Sequence, residues 1–550
     1  MSPKINSLNE KIYLYIVAVI VLGFTCFVRF RFLEVPLERD EGGYAYLGWQ
    51  LLNGDSFASL PAGGAEALPG IFFVYAIILT IFGQTHTSIH LALLFTNITT
   101  SFLMFLIGKR LYDEPVGIFA GASFLVMTLS PSVQGFWANS EHFVILFAIG
   151  GILLLMIALD NEDKRYLFLS GILLGCAILI KQHAVFFAIF GFSYIVYLKK
   201  QAKNFVDIYS KVGFFVVGVL TPLILIILIN FATGNFDEFW FWAFTYASEY
   251  VSLISPDRAV GRFIRSFDPV LNSNFLILLL SLLGVLSIGW NKTIRSKYVF
   301  SFGLLVFSFM AITPGFYFRP HYFILVMPVF SLFAGIGAIS FLKLSPTHHG
   351  LRRNSFLCIV VIFLVAPLFV QKNLLFKMSV SEITRHTYGL NPFLESIEIS
   401  HYIKENTDED DVIAVLGSEP QIYFYSRRKS ATRFLYMYPL TEDHSYARVM
   451  QAEMIKEIEN SEPKYILVVN VSTSWLLQKK SSRKLLAWSQ GYLEKKYKMS
   501  GAVEISFEKD STYFFDDQAI ESYLNSLKNN FNLQNKRTVF IFKKKDMDST

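Results

Sequence analysis

The first two-thirds of the chain alternates long apolar runs with short polar joints, and the pattern changes character near residue 371. Apolar runs fall at 12–28, 89–107, 116–129, 143–159, 166–180, 184–198, 212–229, 275–290, 299–312, 322–342 and 356–370. Each predicts a membrane-spanning helix, because in hydrocarbon only a helix satisfies every backbone N–H and C=O within its own segment. The run at 71–82 is too short to span and is expected on the outer surface. Beyond Gln371 the periods shorten: 411–416 and 465–470 read as buried strands, 394–405 and 446–458 as amphipathic helices. The expectation is a polytopic α-helical membrane protein of about eleven spans (1–371, with an outer loop at 30–88) followed by a soluble extracytoplasmic α/β domain (372–550).

Loop charge sets the orientation. With a cytoplasmic N terminus, the loops carrying Lys109/Arg110, Lys164/Arg165, Lys199/Lys200/Lys203, Lys292/Arg295/Lys297 and Lys343/Arg352/Arg353 all fall inside, as the positive-inside bias requires. Counting 71–82 as a span would reverse every later loop. Fusing the runs on either side of Lys181 would expel the Lys199 cluster. An odd number of spans leaves the C-terminal domain outside.

Composition agrees with a membrane setting: of 550 residues, 53% are hydrophobic and 17% charged, with 55 Phe and a mean hydropathy of +0.44. The net charge of +6 resides mostly in the short loops, so it marks topology and not a nucleic-acid partner. Cys26, Cys176 and Cys358 all lie in apolar runs, which excludes a disulfide framework and a thiolate metal site. After the first run come Arg29, Arg31 and Glu34 in place of a small-residue cleavage pattern, which predicts a retained signal-anchor helix. No Walker loop or G-x-G-x-x-G follows a strand of the C-terminal domain.

Under this topology the ionisable residues gather at the outer ends of the spans: Asp40, Glu41, Glu141, His142, Lys181, His183, Arg319 and His321. A proton-coupled transporter would be expected to hold such groups at mid-membrane. The loop Glu38-Arg39-Asp40-Glu41-Gly42-Gly43-Tyr44-Ala45-Tyr46 leads into a helix whose Tyr44, Leu47, Leu51 and Leu52 suit the membrane surface. Asp40 and Glu41 at its start either cap free N–H groups or do chemistry, and spacing alone does not choose.

Arg39-Asp40-Glu41-Gly42-Gly43-Tyr44-Ala45 resembles the first-loop acidic motif of the GT-C membrane glycosyltransferases, family-39-like, among them the protein O-mannosyltransferases and the lipid A aminoarabinose transferase. The likeness continues through Asn139-Ser140-Glu141-His142, Leu179-Ile180-Lys181-Gln182 and Arg319-Pro320-His321-Tyr322-Phe323, and Gly417-Ser418-Glu419-Pro420-Gln421-Ile422-Tyr423 resembles a stretch of bacterial members. Where the aminoarabinose transferases carry Lys-Pro-Pro, this chain has Ala67-Leu68-Pro69-Gly70, so their donor sugar does not carry over.

The resemblance implies an inverting transfer of a sugar from a polyprenyl phosphate to an acceptor hydroxyl of lipid, glycan or protein, at the outer face of a bacterial inner membrane. It implies Asp40 as general base with Glu41 beside it. Lys181 and Arg319, with His321, are the candidates for the donor phosphate, although a cation at a span end also snorkels to head groups. Glu141, with His142 beside it, would orient the base, bind acceptor or hold a divalent cation, the one cofactor these residues suggest. Trp240, Phe241, Trp242 and Tyr246 suit a sugar face or an ordinary interfacial belt, and Arg258, Arg262 and Arg265 are weaker phosphate candidates. Membrane lipids are the surrounding partner; the donor sugar and acceptor stay open. A lipid-linked glycan transporter or a non-catalytic assembly subunit is the alternative.

Overall fold

In the computed structural model, residues 8–55, 68–198, 205–344, 350–507, 509–529 and 537–546 are described. The Lys199/Lys200/Lys203 cluster and Ala67 lie outside them. All eleven apolar runs are helical: α1 (Leu8–Arg31), α4 (His86–Leu111), α5 (Glu114–Met127), α6 (Ser140–Asn161), α7 (Lys164–Ile180), α8 (Val185–Leu198), α9 (Phe205–Ala232), α12 (Pro256–Leu286), α13 (Lys292–Ala311), α14 (Met327–Leu342) and α15 (Gly350–Val370). Between them sit α2 (Arg39–Leu52), α3 (Gly70–Phe82), α10 (Phe236–Trp240) and α11 (Ala247–Ser252). Among the described residues, seven helical segments are long and apolar enough to cross a membrane on their own, and the segments at Gly70–Phe82, Glu114–Met127, Gln182–Leu198 and Asn354–Val370 are shorter.

The segment Pro320–Leu342, which contains α14, is the buried centre of the bundle. Gly284 of α12 and Gly337 of α14 let the two backbones touch: a Cβ at either would stand 2.0 or 1.9 Å from a facing carbonyl oxygen. Small residues at a crossing are how helices pack where hydrophobic exclusion supplies no drive. α9 shows the opposite character, with Leu225, Leu228 and Phe231 exposed, as a lipid-facing helix requires.

The C-terminal domain carries a six-stranded sheet in the order β2-β1-β3-β6-β4-β5, from β1 (Val412–Leu416), β2 (Lys429–Ser430), β3 (Tyr465–Asn470), β4 (Tyr497–Glu504), β5 (Thr512–Phe514) and β6 (Thr538–Lys544). β2, β1 and β3 are parallel; β6 runs antiparallel between β3 and β4. The expected strands are β1 and β3, and the expected helices are α16 (Glu395–Glu405) and α17 (Ala447–Ser461). β4 escapes sequence reading because Gly501 sits at a register shift against β6, which interrupts its alternation.

α2 departs from expectation. It is not a surface helix: Gly42 through Gly48 are all buried, because the C-terminal domain closes over the face that would otherwise meet solvent. The Tyr46 hydroxyl accepts from Ser430 N at 2.8 Å, and its ring packs 5.3 Å from that of Tyr423. The helix is apolar on both sides: Tyr44 packs on Phe72 and Tyr75 of α3, and Tyr46 on Tyr423 of the C-terminal domain.

Candidate active site

The start of α2 separates the two acids that the sequence leaves equivalent. Glu38 is the N-cap and forms a capping box with Glu41: Glu38 Oε1 accepts from Glu41 N at 3.0 Å, and Glu41 Oε2 accepts from Glu38 N at 3.1 Å. Glu41 Oε1 also accepts from Ala138 N and lies 3.1 Å from His90 Nε2. Every oxygen of Glu41 is thus engaged inside the protein. Asp40, one residue earlier, is half-buried and lines a cavity of about 180 Å³ between the bundle and the C-terminal domain.

Three further pieces of chain wall this cavity. At the end of α7 the helix stops at Lys181, whose extended backbone turns Lys181, Gln182 and His183 inward. A π-helical turn, Phe241–Tyr246, and α11 supply Trp242, Tyr246 and Tyr250. π-turns insert a residue and re-aim side chains, and here they point two aromatics at one space. The third piece, between α13 and α14, presents Arg319, His321 and Tyr322. Just before it, Gly315, Phe316 and Phe318 have φ of 70°, 52° and 46°. For phenylalanine this region costs about 1–2 kcal/mol per residue. Phe318 is held there by T-shaped packing on Phe263, ring centroids 5.4 Å apart.

The cations differ in what they already hold. Lys181 Nζ is 2.8 Å from Glu141 Oε1, 3.3 Å from Ser140 Oγ and 4.8 Å from the centre of the Tyr322 ring. Arg319 donates from Nη2 to the Tyr250 hydroxyl at 3.1 Å and lies over the Tyr317 ring, and the described residues give it no ion pair. His321 is fixed by Nδ1, 2.7 Å from Gln134 Oε1, with Nε2 3.9 Å from Glu141. Asp40 is close enough to Arg319, His321 and Tyr438 to act on each electrostatically.

Of the ionisable residues singled out in the sequence, Asp40, Lys181, His183, Arg319 and His321 meet in the cavity. Glu141 stands behind Lys181, fully buried, where it can orient that cation. His142 is also fully buried, its Nδ1 3.2 Å from Asn97 Oδ1. Glu41 and His142 do not line the cavity. Trp242 and Tyr246 do, whereas Trp240 is exposed and Phe241 packs on Tyr446. Arg258, Arg262 and Arg265 stand exposed on α12, away from the cavity. Among the described residues no group of three or more His, Cys, Asp or Glu side chains is arranged to hold a metal ion.

Sequence reasoning missed the outer wall, where Tyr436, Tyr438 and Pro439 of the C-terminal domain close the cavity. The aromatic stretch Tyr436-Met437-Tyr438-Pro439 was the available signal. Behind this wall the Tyr246 hydroxyl donates to Glu442 Oε2 at 3.2 Å. Burial pushes the Glu442 carboxyl up to about 7, against the opposing pull of the Tyr246 hydrogen bond and the Arg319 charge. A carboxyl raised from its ordinary 4.5 binds more protons folded than unfolded, so stability is highest below 4.5 and falls as pH rises through 7. The interval corresponds to at most roughly 3 kcal/mol. Thermal melting of detergent-solubilised protein is expected to drop between pH 5 and pH 7, and Glu442→Gln is expected to flatten that part of the profile.

The family model described as dolichyl-phosphate-mannose-protein mannosyltransferase matches residues 66–229, which hold Glu141, His142 and Lys181 but neither Asp40 nor Arg319. The model of the Ccs4 C-terminal domain matches residues 394–500. No curated protein matches the chain. Among solved structures, the archaeal oligosaccharyltransferase AglB from Archaeoglobus fulgidus, in complex with an inhibitory peptide and a dolichol-phosphate, superposes with a TM-score of 0.54 at 13% identity over 93% of this chain and 75% of that one. ArnT from Cupriavidus metallidurans bound to undecaprenyl phosphate gives 0.54 at 13% identity, over 90% and 96% of the two chains. Its apo state gives 0.51 at 15% identity, over 88% and 95%. The fold is therefore that of the GT-C glycosyltransferases, and residues 66–229 carry the resemblance to the O-mannosyltransferases.

Proposed function

We propose that this chain is an inverting glycosyltransferase that moves a sugar from a polyprenyl phosphate to an acceptor hydroxyl, at the membrane face bearing the C-terminal domain. The observation that carries this reading is the shared cavity: among the described residues, Asp40 is a carboxylate without a hydrogen-bond partner and Arg319 a guanidinium without an ion pair, and the two face one space at the end of the bundle. Loop charge puts that face outside, in a bacterial inner membrane by resemblance.

The chemistry follows from the charges. The acceptor oxygen attacks the anomeric carbon and Asp40 takes its proton as the new C–O bond forms. The bond from that carbon to the phosphate oxygen breaks with its electron pair on the phosphate, whose growing charge Arg319 meets. Lys181 adds positive potential from one side, with its ammonium held by Glu141. His321, locked by Gln134, orients groups at the same end. The phenols of Tyr250, Tyr436 and Tyr438 offer hydrogen bonds and flat faces to sugar rings.

Purified protein incubated with radiolabelled polyprenyl-phosphate sugars and an acceptor extract is expected to release free polyprenyl phosphate from at least one donor and to label an acceptor. Donor binding without turnover, across the whole panel, would instead favour a transporter or a subunit that has lost its chemistry.

A further inference from the structure

The motif Arg39-Asp40-Glu41-Gly42-Gly43 divides residue by residue between the two halves of the protein. Glu41 belongs to the membrane bundle through Ala138 N and His90. Arg39, Gly42 and Gly43 belong to the C-terminal domain. Arg39 donates from Nη2 to Glu419 Oε1 at 3.0 Å and to Asn391 Oδ1 at 3.1 Å, and from Nε to the Ser418 carbonyl. Its guanidinium lies between the rings of Phe393 and Tyr438, 5.5 Å from each centroid. A Cβ on Gly42 would meet Gln421 N at 2.6 Å, and one on Gly43 would meet the Tyr436 hydroxyl at 2.0 Å. That hydroxyl donates to the Arg39 carbonyl at 3.3 Å. Asp40 is the one residue of the five left to the cavity.

Glu419 is the hub on the domain side. It is fully buried, and its second oxygen accepts from Ser474 Oγ at 2.7 Å, so its carboxylate is aimed before Arg39 arrives. A buried, charge-assisted and pre-aimed pair fixes geometry more than it adds net stability.

We propose that Glu419 is a positioning residue for the transfer: by holding Arg39 it sets the start of α2, and so the place from which Asp40 reaches the acceptor. The inference rests on the transferase reading above. It makes the C-terminal domain a working part of the active site and extends the site to the turn Gly417–Gln421, which lies 380 residues from the helix it holds.

The experiment uses full-length protein in nanodiscs, with undecaprenyl phosphate as binding probe and the labelled-donor turnover assay as readout. Glu419→Ala is expected to lower kcat about 100-fold, the scale of an ångström of misplacement. Undecaprenyl phosphate affinity and donor KM should stay within about twofold of wild type, since Arg319 and Lys181 are untouched. Glu419→Gln, which can still accept from Arg39, should recover most of the loss. Ser474→Ala removes the hydroxyl that aims Glu419 and lies outside the cavity, and is expected to cost several-fold in kcat even should Glu419→Ala fail to fold. Wild-type kcat in both truncating variants would overturn the proposal. So would a fall in kcat matched by a fall in melting temperature that Glu419→Gln does not rescue. A wild-type protein that never releases polyprenyl phosphate would instead remove the transferase reading, and the positioning role with it.

Discussion

Asp40→Asn is expected to fold as wild type and to lose transfer by about 10²–10⁴-fold, the range general-base removal commonly costs. The fold should survive because Asp40 makes no contact on which α2 depends: Glu38 and Glu41 close the cap, and Arg39 and the two glycines bind the C-terminal domain. An amide of the same shape keeps the helix start and removes the proton acceptor. Glu41→Gln is the control with the opposite signature. Its carboxylate accepts from Glu38 N and Ala138 N and faces His90, so an amide nitrogen there must oppose a buried donor. That costs on the order of 1–3 kcal/mol, seen as a lower melting temperature with kcat per folded molecule retained. Equal loss of activity in both variants, with unchanged melting, would assign the base role to the pair.

The contrast between these neighbours marks the limit of the sequence reading. Period identified the eleven helical runs and the parallel strands β1 and β3, while loop charge, the outer-loop aromatics and the family resemblance singled out Asp40, Lys181, His183, Trp242, Tyr246, Arg319 and His321, which meet in the cavity. An apolar run states that a segment is out of water, which is sufficient for a helix in a bilayer. It does not state whether lipid or protein covers it. α2 therefore read as a surface helix although a domain encoded 380 residues later lies on it. The Gly42-Gly43 pair was the local sign of that approach, since neither glycine is needed for a turn and both sit inside a helix, where glycine is unfavourable. Asp40 and Glu41 are indistinguishable by spacing, because only the positions of Ala138 and His90 decide which carboxylate is consumed by the fold.

Arg319→Ala is expected to be the second severe loss, lowering kcat by about 10²–10³-fold and weakening undecaprenyl phosphate binding as well, because the charge it supplies is aimed at the leaving group. The strained backbone ahead of Arg319 is the physical ground for ranking it above Lys181. Phe316 and Phe318 hold positive φ at a cost that packing must offset, Phe318 on Phe263 and Phe316 on Phe318, and what the arrangement delivers is a guanidinium in the cavity with no ion pair among the described residues. Arg319→Lys should recover only part of the loss, since an ammonium cannot reproduce a planar fork against phosphate oxygens. Lys181 tests the other side of the argument. Lys181→Met leaves Glu141 as a buried carboxylate without its cation, so its first effect should be on folding, a loss of roughly 3–5 kcal/mol. Pairing it with Glu141→Gln should restore the melting temperature. If the double variant, once stable, turns over within tenfold of wild type while Arg319→Ala does not, the phosphate is held by Arg319; the reverse order would move it to Lys181 and leave Arg319 to the acceptor.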